Sequence, residues 1–187
     1  MLRFFFFLIM LSFNVQAEVI CYPPITQDEL IGLMINTKIR YFPELDKEIV
    51  SVTNFKSKDS FLQAQPVIKS LLKRREKRSY TVQVNPKLLA CPPSMEGLEA
   101  ILVHELEHIV DYTKWSSARI VKHGAQYLLS RKFQIKYERE TDRKVLQKSL
   151  HEGLAQFREW IYPWLNPKQL KKKRQTYLTP EEIRNSL

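Results

Sequence analysis

Apolar residues recur at helical spacing over Leu30, Ile31, Leu33, Met34, Ile35 and Ile39, predicting a helix from a cap at Thr26 to about Arg40. Asp28 and Glu29 suit its first turn, and Tyr41-Phe42-Pro43 stops it. From Ile49 to Phe55 the β-branched residues Ile49, Val50, Val52 and Thr53 predict a strand. Phe61 to Lys73 reads as a helix interrupted or begun near Pro66, with the charged run Lys73 to Arg78 as its solvated end and a loop. Tyr80, Val82 and Val84 alternate with Thr81 and Gln83 in a second strand, which Pro86 ends. The most apolar stretch follows a cap at Ser94: Leu98, Ile101, Leu102, Val103, Leu106, Ile109 and Val110 leave few wet positions, so this helix is buried. After a mixed segment from Tyr112, a helix over Ala125 to Phe133 feeds a long one from about Lys132 to Trp160. Tyr162-Pro163-Trp164 and Asn166-Pro167 end it, and Thr179-Pro180-Glu181-Glu182 caps a last helical turn.

These elements define an α+β chain that is mainly helical. Its 187 residues suffice for one domain with a substantial core. A formal charge of +10 implies a basic surface and raises nucleic acid as a partner. The N-terminus argues against specific nucleic-acid binding. Met1 to Ala17 has the form of a secretory signal: Arg3, an apolar core from Phe4 to Phe13, and small residues at Val15 and Ala17. Cleavage after Ala17 leaves 18–187 as one secreted or periplasmic domain with a basic C-terminal tail. Export also changes how the two cysteines read, because an oxidising compartment favours a Cys21–Cys91 disulfide. The cationic run Lys171, Lys172, Lys173 and Arg174 is then expected to give at most weak, salt-sensitive contact with an anionic envelope surface.

The chemistry centres on His104-Glu105-Leu106-Glu107-His108, an H-E-x-x-H sequence inside the buried helix. Residues four apart share a helix face, so His104 and His108 can reach one metal ion. Glu105 stands where a carboxylate can orient and deprotonate a metal-bound water. Catalytic zinc needs a third protein ligand. The same-helix solution, H-E-x-x-H-x-x-G-x-x-H, is excluded because Asp111 and Lys114 occupy the glycine and last histidine positions. Tyr137-Glu138-Arg139-Glu140-Thr141-Asp142 offers three carboxylates. On one helix at about 100° per residue, with Glu138 at 0°, Asp142 falls near 40° among the apolar positions and Glu140 near 200° beside Lys144. Glu138 and Asp142 are therefore the buried pair, and a metal compensates a buried acid.

His104-Glu105-x-x-His108 followed by Glu138-x-x-x-Asp142 resembles the gluzincin zinc metallopeptidases, over the two motif helices only. The resemblance implies a zincin-like fold, with a small mixed sheet packed on helices. It makes His104, His108 and Glu138 the zinc ligands, Glu105 the general base, and Asp142 the group that orients a histidine ligand. The function implied is an exported zinc-dependent metallopeptidase acting on peptide or protein substrates. The alternative is a non-catalytic zinc-containing envelope-binding protein, against which the intact Glu105 argues. A strand just ahead of the motif helix would hold an extended peptide if it were a sheet edge on the cleft, and is otherwise an ordinary interior strand. His123, His151 and several tyrosines are available to stabilise an oxyanion, with nothing in the sequence to choose among them.

Overall fold

The computed structural model describes residues 19–186, so the expected signal segment, Met1 to Ala17, lies outside the described residues. Helix α1 (Gln27–Tyr41) begins in a capping box, in which Thr26 N–H donates to Glu29 at 2.6 Å and Glu29 N–H donates to the Thr26 hydroxyl at 3.1 Å. It buries Leu30, Met34 and Thr37. Strands β1 (Ile49–Asn54), β2 (Leu62–Pro66) and β3 (Ser79–Val84) form a mixed sheet in the order β1-β3-β2. β3 is parallel to β1 and antiparallel to β2, with Val82 opposite Val52 on one side and Ala64 on the other. Its inward residues Tyr80, Val82 and Val84 are fully buried, as a central strand requires.

The expected helix over Phe61 to Lys73 is not formed. Leu62 to Pro66 is the edge strand β2, and only Ile68–Leu72 turns, as a 3₁₀ segment. Gln and Ala at 63–65 would suit a helix, but pairing with β3 satisfies their backbone and outweighs that local preference. β3 is correspondingly the interior strand, and the sheet edge that faces the cleft belongs to β2.

A short helix α2 (Pro86–Ala90) leads to α3 (Met95–Lys114), capped by Ser94 and buried from Gly97 to Val110 except at Glu99. Cys21 and Cys91 are joined by a disulfide, and two backbone hydrogen bonds, Tyr22 N–H to Pro92 and Ile25 N–H to Leu89, run beside it. Closing a loop of this length contributes roughly 4 kcal/mol in the chain-entropy account. The bridge accords with an oxidising environment. No helix among the described residues is long and apolar enough to cross a membrane.

The segment after α3 is more regular than its mixed composition suggests. Ser116 caps α4 (Ser117–Leu129), and Ser130 caps α5 (Arg131–Gln147). The single long helix expected to reach Trp160 is broken. Ser149 takes a positive φ of 63°, and α6 (His151–Ile161) folds back from there. The turn is set by packing: α6 lies so close on α3 that a Cβ added to Gly153 would collide with the Glu96 carbonyl. Gly153→Ala is expected to force the helices apart and lower stability by about 1–3 kcal/mol, read from the urea midpoint. An unchanged midpoint would show that this contact is not tight.

The basic C-terminus is no free tail. It forms α7 (Pro167–Thr176) and α8 (Pro180–Arg184), and its Leu178 and Ile183 are buried in the same core as α3. In α7 the four consecutive cations are spread around a helix. Lys171, Lys172 and Arg174 are exposed, whereas Lys173 is half-buried.

Candidate metal centre

α3 and α5 pack side by side and bring His104, His108 and Glu138 together, each nearly excluded from solvent. His104 Nε2 lies 3.1 Å from Glu138 Oε2 and 3.2 Å from His108 Nε2, and His108 Nε2 lies 3.5 Å from Glu138 Oε2. Tetrahedral ligand atoms about 2.0–2.1 Å from zinc stand about 3.3 Å apart, so the three atoms already have the spacing of a shared ion. This group can hold a metal ion.

The far nitrogen of each imidazole also faces a polar group. Asp142 Oδ1 faces His104 Nδ1 at 2.9 Å, and the Tyr137 hydroxyl is 3.0 Å from His108 Nδ1. Both rings are thereby turned to present Nε2 to the centre, the arrangement expected around metal-bound histidines. Asp142 is itself fixed: Arg158 Nη2 donates to Oδ1 at 2.7 Å and Leu178 N–H to Oδ2 at 2.8 Å. Tyr127 donates its hydroxyl to the second oxygen of Glu138.

Charge explains why a cation belongs here. Arg158 balances Asp142, which leaves the buried Glu138 carboxylate without a permanent partner. Burial disfavours charge on Glu138 and His104 alike, but their mutual contacts and Asp142 prevail. The His104 imidazole is pushed up to about 10, and the Glu138 carboxyl is held well below the usual carboxylate range. A proton on the imidazole or a divalent ion can supply the missing positive charge.

Glu105 points from the same helix turn into the cleft beside this centre. It is 5% exposed, and its Oε2 accepts the Ala64 N–H of β2 at 2.6 Å. The cleft encloses about 330 Å³ between the outer edge of β2 and the α4–α5 layer. Tyr112, Tyr127, Tyr137 and Tyr177 line it, as does His123, whereas His151 does not. Burial and nearby carboxylates raise the Tyr127 and Tyr177 phenols, which stay protonated donors at neutral pH. His123 sits among Trp115, Phe133 and Tyr137, and burial lowers its pKa, favouring the neutral ring.

The faces expected for α5 match the packing in part. Glu138 and Asp142 are buried and Glu140 is exposed, paired with Arg143 at 3.2 Å. Lys144, expected beside Glu140 on the wet face, instead reaches Asp111 at 3.0 Å and, with Lys148, neutralises the buried Glu107. Sequence reasoning missed Arg158 altogether. Its signal was a lone arginine among Leu154, Ala155, Phe157 and Ile161, on a helix face that had to be buried. Comparison of the chain with family models, curated proteins and solved structures gives no match.

Proposed function

We propose that this chain is an exported zinc-dependent peptidase of gluzincin type. The observation that carries the reading is the buried His104–His108–Glu138 group, with 3.1–3.5 Å between ligand atoms and Glu105 facing the same cleft. Zinc held by the two Nε2 atoms and a Glu138 oxygen would supply Lewis acidity and lower the pKa of bound water toward about 7. Glu105 accepts the proton of the attacking water and passes it to the leaving amine. The Ala64 N–H fixes the rotamer of that carboxylate. β2 gives its other edge to the cleft, where an extended peptide can lie beside Leu62 and the Ala64 carbonyl, the Ala64 N–H being held by Glu105. The hydroxyls of Tyr112, Tyr137 and Tyr177 line the same cavity as donors for a developing oxyanion, whereas that of Tyr127 is given to Glu138.

Hydrolysis of an unstructured protein such as casein tests the reading. Cleavage should vanish on metal chelation and return when zinc alone is restored. Cleavage that persists in chelator would contradict the mechanism. The export signal and the disulfide support a secreted or periplasmic site of action.

A further inference from the structure

The cleft continues past Ser60, Tyr127 and Tyr177 into a side lobe of about 160 Å³. One wall is a face of α7. Gln169, Lys172, Lys173 and Thr176 stand at helical spacings of three and four residues, so they share a face. A helix face that lines a cavity is ordinarily apolar. Here it is polar throughout, and Gln134 of α5 continues the polar lining. Lys172 on this face is exposed and Lys173 half-buried, so the wall is only partly shielded from solvent, and its polarity suits a polar ligand.

Lys173 gives that ligand a sign. Its ammonium lies 4.9 Å from the centre of the Tyr177 ring. It also borders a smaller space shared with His104 and Glu105. The Arg158 guanidinium lies 4.4 Å from the same ring but is committed to Asp142. Lys173 has no such commitment: Asp59, the acid in the lobe, acts on it only at a distance and accepts a hydrogen bond from Ser57 instead. Burial and Arg158 push the lysine down to about 8, with Asp59, Glu138 and Glu105 opposing, so it is still charged at neutral pH.

We propose that this lobe is a subsite for a carboxylate of the peptide substrate, held by the Lys173 ammonium with Gln134 and Gln169 as further donors. The carboxylate is either an acidic side chain or the peptide C-terminus. The substrate class rests on the peptidase reading; the anion site itself rests on the lobe.

The test uses labelled heptapeptides in which one Glu replaces Gln at each position in turn, with free or amidated C-termini. Binding is measured by fluorescence anisotropy to zinc-loaded Glu105→Gln protein, and cleavage is measured separately with the wild type. At least one carboxylate peptide should bind about tenfold or more tightly than its neutral isostere, the scale of a charge-assisted hydrogen bond. Preference for Glu at one position identifies a side-chain carboxylate, and preference for the free terminus identifies the C-terminus. The ratio should fall to within about twofold in Glu105→Gln/Lys173→Met, while Lys173→Arg keeps part of it. Retained zinc in the double variant verifies that the fold is intact. A ratio unchanged by Lys173→Met, or no carboxylate preference at any position, overturns the subsite. Carboxylate-selective binding without any cleavage supports the subsite and fails the peptidase reading; cleavage without selectivity does the reverse.

Discussion

Glu138→Ala is expected to strip zinc from the protein at ordinary concentrations. The substitution removes one of three ligand atoms and leaves His104 and His108 to hold the ion alone. The loss should exceed the roughly 10- to 100-fold that removal of an outer partner causes. Glu140→Ala is the control, because that side chain faces solvent and pairs only with Arg143. Asp142 needs a gentler change than alanine. Its carboxylate holds the buried Arg158 guanidinium as well as His104, so truncation leaves an unpaired buried charge costing about 3–5 kcal/mol. Asp142→Asn keeps the shape and one acceptor oxygen, although Arg158 still loses its counter-charge, and should weaken zinc binding by roughly 10- to 100-fold. Competition with a zinc-binding dye reads all three affinities. Loss of zinc in Glu140→Ala with retention in Glu138→Ala would reverse the assignment of faces on α5.

The second large effect separates chemistry from metal binding. Glu105→Gln should keep stoichiometric zinc and lose about 10²- to 10⁴-fold in hydrolysis, the usual contribution of a general base. The amide is isosteric, and its oxygen can still accept the Ala64 N–H, so the β2–α3 contact survives. Near-normal turnover in this variant would remove Glu105 from the mechanism while leaving the metal centre intact.

Much of the architecture was legible where local signals and packing agree. The Thr26 cap, the β-branched run at Ile49 and the alternation at Tyr80 correspond to α1, β1 and β3. Part of the candidate centre was legible for the same reason: four-residue spacing on α3 and the buried pair Glu138 and Asp142 on α5 follow from helix geometry, whereas the choice of Glu138 as ligand came from the resemblance to gluzincins. What could not be read depends on partners distant in sequence. Gln63-Ala64-Gln65 becomes a strand because β3 offers it a ladder. The break at Ser149 exists because Gly153 must approach Glu96, a contact no local pattern encodes. The helical projection therefore held for Glu138, Glu140 and Asp142 of α5, whereas the helix expected to run on to Trp160 stops at Gln147 and α6 takes over.

The C-terminus shows the same limit more sharply. A run of Lys and Arg looks like a solvated tail, yet Leu178 and Ile183 draw it into the core. That docking places the Leu178 amide on Asp142 and the Tyr177 ring in the cleft. Arg139 secures it, donating to the Tyr177 carbonyl at 3.0 Å and pairing with Glu182. The last helices are thus part of the support of the candidate metal centre.

The central claim is that His104, His108 and Glu138 share one metal ion, and elemental analysis of the purified native protein tests it most directly. The account predicts about one zinc per chain in the wild type and almost none in Glu138→Ala of the same folded content. A metal-free wild type that stays metal-free after incubation with zinc, or equal zinc in both proteins, would contradict it.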